Sequence, residues 1–173
     1  MTITIRAAAI EDAAAIAGIR VRSWQAAYRG MVPDSLLDGL STEVDTPRFR
    51  GVLERLTETN QRAWIAEDDG MATGFAISGP PQEDDLAAGA GEVHLLYLEP
   101  DRRRGGIGGI LLDHAVADLR ADGFAPIVLW TLQANTPARA FYEAGGWRHD
   151  GTVKAFVVEG IEVPEVRYVL GDS

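Results

Sequence analysis

The segment that most constrains this chain runs from residue 92 to residue 122. A β-prone stretch, residues 92 to 98, is ended by Pro100 and gives way to a basic, glycine-rich turn (RRRGGIGG, residues 102–109) that opens directly into a helical pattern. Ile107, Ile110, Leu111, His114, Ala115 and Leu119 recur at helical spacing, and Gly123 stands where a helix commonly stops. Glycines let a ligand come close to the backbone, and a helix start presents unpaired N–H groups with partial positive charge. Phosphate oxygens fit such a cradle, with Arg102, Arg103 and Arg104 adding charge at its edge. The alternative is a flexible basic loop that binds nothing. Two phosphate ligands can be struck out. A Walker A loop needs a lysine and a hydroxyl that this turn lacks, and a dinucleotide fingerprint needs glycine where Leu111 stands.

The rest of the chain reads as one mixed domain. Residues 3 to 6 alternate as a first strand, and residues 10 to 28 follow a helical pattern with Ile16, Ile19, Ser23 and Ala27 on one stripe. Pro33 suits the first position of a short helix through residue 40. Thr46-Pro47 reads as the cap and first position of another, whose buried face is Phe49, Val52, Leu53 and Leu56. The period then changes: residues 63–66 and 72–77 are short strands around Asp69-Gly70, a strong hairpin signal. Residues 79 to 91 carry glycine, proline and acid and should form an exposed loop, either a lid or amine-attracting rim or a plain solvated connection. The continuous apolar run at 127–132 suits a strand buried on both faces. Thr136-Pro137 caps a helix through residue 143, and two last strands near 147–157 and 161–170 turn around Glu159-Gly160. That order predicts an α+β fold with a central, mostly antiparallel sheet, in a single domain covering 1–173.

Composition removes several functions. The sequence has no cysteine, which excludes disulfides, thiolate metal sites and a cysteine nucleophile, and its three scattered histidines make no metal site. Its net charge of -10 disfavours nucleic acid as a partner and favours a cationic one, although such a charge also serves solubility alone. No apolar run is long enough to span a membrane and the first residues lack a signal-peptide pattern, so the cytoplasm is the expected compartment.

With these residues in view, the chain resembles the GNAT superfamily of N-acetyltransferases. The family's Arg/Gln-x-x-Gly-x-Gly/Ala signature is matched by Arg103-x-x-Gly106-x-Gly108. Asn135, Ala138 and Phe141-Tyr142-Glu143 resemble its downstream Asn-x-x-Ala-x-x-Phe-Tyr-Glu segment, and Gly-Gly-Trp follows where Gly-Phe is usual. Gly105 departs from the pattern, standing where a basic residue is common. The resemblance implies a GNAT-like mixed sheet of about seven strands flanked by about four helices, with acetyl-CoA as cosubstrate and no metal.

It also implies roles. The fourth and fifth strands would part, and Leu96, Tyr97 and Leu98 would bond the pantetheine arm through their backbone. The amides of Arg103, Arg104, Gly105, Gly106, Ile107, Gly108 and Gly109 would hold the pyrophosphate. Tyr142 resembles the general acid that protonates the departing thiolate, against the alternative of a core tyrosine; Asn135 would touch the coenzyme or orient its helix. Glu92 is the candidate base for the amine, on one face with His94, or else an exposed strand-end carboxylate. His94 otherwise reads as a half-buried strand residue, His114 as packing and His149 as surface. Trp24, Tyr28 and Arg29 fall where the family often builds its acceptor pocket, though core packing or a dimer surface explains the aromatics equally well. The acceptor is then a small-molecule amine or a peptide amine; a non-catalytic acyl-CoA sensor would need neither Tyr142 nor Glu92.

Overall fold

A computed structural model describes residues 1–171. Seven strands, β1 (Ile3–Ala7), β2 (Arg62–Asp68), β3 (Met71–Gly79), β4 (Gly91–Leu98), β5 (Ile127–Leu132), β6 (Arg148–Val158) and β7 (Ile161–Leu170), form one sheet in the order β1-β2-β3-β4-β5-β7-β6. Every neighbouring pair is antiparallel except β4 and β5. Five α-helices accompany them: α1 (Ala13–Ala27), α2 (Asp34–Asp38), α3 (Thr42–Glu54), α4 (Ile107–Ala121) and α5 (Thr136–Ala144). The two tight hairpins form where the sequence places them. Asp69-Gly70 and Glu159-Gly160 both take positive φ at both positions, the turn geometry that matches strand twist.

The sheet is covered on both faces. Ile107, Leu111, Ala115 and Leu119 of α4 bury against Ala66, Ala76, Val93, Ile127 and Leu129. On the other face Ile16 and Ile19 of α1 and Phe49 of α3 meet Ile65, Phe75 and Ile77. The apolar run of β5 faces both layers, which is why it has no polar alternation. α1 is buried around most of its middle, Arg20 included.

α2 begins at Asp34 with Pro33 as its cap and not its first position, and the starts of α1, α3 and α5 differ from expectation for identifiable reasons. α1 begins at Ala13 after a 3-10 turn over Ile10–Asp12. The Ala9 N–H donates to Asp12 Oδ2 at 2.7 Å, and Arg6 binds both Asp12 oxygens at 2.8 Å. α3 begins at Thr42, so Thr46 is no cap: its Oγ1 donates to the Thr42 carbonyl at 2.6 Å, and Pro47 lies inside the helix. The earlier start puts Asp45 on a helical turn, where it meets the buried Arg20. At α5 the cap is Asn135 rather than Thr136, its Oδ1 accepting from the Ala138 N–H at 3.3 Å.

Candidate active site

β4 and β5 pair only over Gly91–Ile127, Glu92–Val128 and Val93–Leu129, then part. The cause lies on the other edge of β4. Ser78 faces Val93 and Ile77 faces Leu95, leaving His94 as an extra residue, and such a bulge bends the strand that carries it. The parted strands border a cavity of about 650 Å3. Leu96, Tyr97 and Leu98 line it from β4, Trp130 and Thr131 from β5, Tyr142 from α5 and Asn135 from its cap, Ser23 from α1 and Tyr28 from its C-terminal end, and Arg104 and Gly108 from the glycine-rich turn. Beyond Val93 the β4 edge facing β5 has no ladder partner, so its backbone groups are open to an extended ligand.

The turn closes one end of that cavity. Gly106 takes φ 78° at the cap of α4, a left-handed conformation that disfavours any side chain. The amides of Ile107, Gly108 and Gly109 belong to the first turn and have no intrahelical acceptor. Gly108 permits close packing: a Cβ there would stand 2.9 Å from Leu98 Cδ1. The amide of Gly105 donates to the Arg102 carbonyl at 3.3 Å and is spent on the turn itself.

The three arginines divide their work differently from the sequence expectation of a shared positive edge. Arg102 reaches the buried Asp68 at 2.7 Å. Arg103 donates to the Ser23 carbonyl at 2.9 Å and to Ser23 Oγ at 3.0 Å, tying the turn to α1. Arg104 is exposed at the cavity edge and makes no such contact among the described residues.

Tyr142 is buried, 6.2 Å from the Trp147 ring and 5.3 Å from the Phe141 ring, with its side chain in the cavity wall. Burial, with a smaller contribution from Tyr97, pushes its phenol well above the ordinary range. Its hydroxyl therefore stays protonated and has a proton to give. Glu92 is also buried, not an exposed strand-end carboxylate. Desolvation raises its pKa, but His94, the Gln82 N–H at 3.1 Å and the charge of Lys154 outweigh that and bring it below the usual carboxylate range. His94 Nδ1 is 3.4 Å from Glu92 Oε1, an ion-pair distance without hydrogen-bond alignment. Both His94 ring nitrogens are buried with no hydrogen-bond partner among the described residues. His114 packs edge-on against Trp64, and His149 is exposed, as expected of both.

At the α1 end Trp24 and Tyr28 stack edge to face at 4.9 Å, and Tyr28 lines the cavity. Burial, then the neighbouring Tyr97 hydroxyl, pushes the Tyr28 phenol up. Arg29 turns away, pairing with Asp38 at 2.7 Å and Asp34 at 3.4 Å on the surface. Sequence reasoning missed the residues that hold this end. Arg20 lies 4.2 Å over the Trp24 ring and donates to Asp45 Oδ2 at 2.6 Å. On the sheet side, Trp130 carries the Lys154 ammonium over its ring at 4.1 Å. A lone arginine and aspartate 25 residues apart give no periodic signal. The Arg20–Trp24 pair, one helical turn apart on the α1 pattern, was the available hint.

The sequence pattern that describes the acetyltransferase (GNAT) family matches residues 13–147. The chain belongs to the GNAT family of acetyltransferases. A protein of Mycobacterium tuberculosis named a probable N-acetyltransferase is 31% identical over 173 residues, covering 97% of this chain and 93% of that one. An uncharacterized N-acetyltransferase of Bacillus subtilis is 29% identical over 143 residues, 82% of this acetyltransferase and 78% of that protein. Among solved structures, the PaiA N-acetyltransferase of Thermoplasma acidophilum in complex with coenzyme A shares the fold. Its TM-score is 0.75 at 21% identity, over 95% of this chain and 98% of that one. The seven-stranded, mostly antiparallel sheet of this GNAT acetyltransferase agrees with that likeness.

Proposed function

We propose that this acetyltransferase is a single catalytic domain that moves the acetyl group of acetyl-CoA to a primary amine, by direct attack of the amine on the thioester. The observation that carries this reading is the parting of β4 from β5 beyond Val93 and Leu129, beside the buried phenol of Tyr142. The open β4 edge at Leu96, Tyr97 and Leu98 takes the amide-bearing arm of the coenzyme as an added strand. A backbone N–H near Leu98 polarises the thioester carbonyl and stabilises the oxyanion that forms on it. The amides of Ile107, Gly108 and Gly109, with Arg104 at the cavity edge, hold the pyrophosphate. Asn135 commits its oxygen to the α5 cap and keeps its amide donors for the coenzyme.

Tyr142, protonated at neutral pH, donates to the departing thiolate. Glu92, ionised at neutral pH, takes a proton from the attacking ammonium, directly or through water. Tyr28 borders the acceptor side, with Trp24 stacked against it. A compact amine suits this flank better than an extended peptide. Residues of the acidic loop are tied across β6 and β7, Glu83 to Lys154 and Asp85 to Arg167, the latter at 3.0 Å.

Thiol release from acetyl-CoA, measured with a panel of small amines and of peptides, tests this reading. Tyr142→Phe should lower kcat by about 10²- to 10⁴-fold with coenzyme affinity unchanged. Undiminished turnover in that variant would remove Tyr142 from the acid role. The pH profile is a second check. Because the Glu92 carboxyl is held below its usual range, it is already charged at about pH 6, so the rise of kcat/KM toward about pH 9 should follow the amine and not Glu92. Glu92→Gln should then lower the whole profile without moving its acid limb.

A further inference from the structure

Lys154 is the single lysine of the sequence, and its ammonium is not left to solvent. On β6 it reaches over the Trp130 ring at 4.1 Å, pairs with Glu83 of the acidic loop and lies 3.9 Å from Glu165 on β7. An indole face flanked by carboxylates is a setting that holds alkylammonium ions. Trp130 is also a wall of the cavity, one residue past Leu129, where β5 leaves β4. The charge of Lys154 is felt by Glu92, the carboxylate assigned above as base. A primary ammonium, an aromatic face on the cleft and a base within electrostatic reach are what a bound cationic acceptor would bring together. Here the chain supplies the ammonium itself.

We infer that Lys154 is an internal acceptor, acetylated on Nζ by the acetyl-CoA bound in its own chain. The inference rests on the acetyl-transfer reading above. The side chain is about one-third exposed, 36%, and is not itself among the residues lining the cavity, so Nζ must swing on its four-carbon stem from the Trp130 face into the cleft to reach the thioester. The Lys154 ammonium gives one proton to Glu92. The freed lone pair forms the N–C bond at the thioester carbonyl, the C–S bond breaks, and the thiolate takes a proton from Tyr142. The nitrogen loses its second proton to solvent, and the proton held by Glu92 passes through water to Tyr142, which restores both groups. Ammonium and thioester become amide, thiol and one released proton, and no further reactant is needed. The product is uncharged. Glu83 and Glu165 then lose their shared counter-ion, and the acidic loop keeps the Asp85–Arg167 tie to the sheet.

The test uses the untagged chain with acetyl-CoA at neutral pH, followed by intact mass and peptide mapping. The expected result is a single gain of about 42 Da on the peptide containing Lys154, and none in Lys154→Arg. The rate constant should be independent of protein concentration. It should exceed, by at least about 100-fold, that of a free peptide of residues 150–158 under the same conditions. A rate equal to that of the peptide, or one that rises with protein concentration, overturns the internal route. Calorimetry with CoA separates the two levels of the reading. Coenzyme binding without any mass gain sinks this inference and leaves acetyl transfer to other amines standing; no coenzyme binding sinks both.

Discussion

The two walls of the cleft are held by different means. On the α4–α5 side, neighbours in sequence make the geometry: Gly106 sets the turn, the next three amides face outward from the helix start, and Asn135 caps the helix that carries Tyr142. On the side bordered by α1, β6 and β7, pairs far apart in sequence do it. Arg20 meets Asp45 across 25 residues, Lys154 meets Glu83 across 71, and Arg167 meets Asp85 across 82. A wall built from local conformation can lose a ligand contact without unfolding. The Arg20–Asp45 pair of the second wall is buried, so that wall fails through stability, because a charge left without its partner is costly in the interior.

The largest effect is expected at Asp45. Asp45→Ala leaves the Arg20 guanidinium buried, with only the Trp24 ring for company at 4.2 Å. Breaking a buried pair in this way costs about 3–5 kcal/mol, to be read from urea unfolding of the variant against the parent. A loss below about 1 kcal/mol would mean that packing, not the ion pair, holds the α1 wall. Gly106→Ala tests the opposite wall and should cost less. A side chain in the left-handed region costs about 1–2 kcal/mol, and a Cβ at this glycine meets no atom within 4 Å, so the penalty is conformational. The telling readout is coenzyme affinity. It should fall by more than the stability loss alone explains, because the amides of α4 would turn with the cap. If affinity is untouched while stability drops, the local wall behaves like the distributed one and the contrast is lost.

What the sequence disclosed follows the same division. Residues 102–109 and 135–142 carry their geometry in adjacent positions: left-handed glycine, helix mouth, cap and aromatic pair. The strand order around them follows from period and turn chemistry, with Asp69-Gly70 and Glu159-Gly160 marking both hairpins. The start of α3 was hidden because Thr46-Pro47 is a good local start signal that a distant requirement, Asp45 against Arg20, overrides. That Arg102 pairs with Asp68 and Arg103 with Ser23 is not legible locally, because both partners lie across the fold. The bulge at His94 was invisible for the same reason: it is a property of two strands, and a single strand does not print it.

The smallest effect separates two adjacent glycines of that turn. A Cβ on Gly109 meets nothing within 4 Å, whereas one on Gly108 would press on Leu98 Cδ1 at 2.9 Å and approach Phe141 Cζ at 3.5 Å. Alanine is favoured over glycine in a helix by up to about 1 kcal/mol, so Gly109→Ala should raise Tm by about 2–4 °C. In Gly108→Ala the same gain is offset by displacing Leu98, leaving Tm near the parent value. The Leu98 side chain would be pushed at the cavity edge it lines, so coenzyme affinity should fall in the Gly108 variant. In the Gly109 variant it should hold within about threefold, a change of under 1 kcal/mol. A larger loss at Gly109 would mean that the pyrophosphate rests on its Cα and not only on its amide, and would move the anion one residue further along α4.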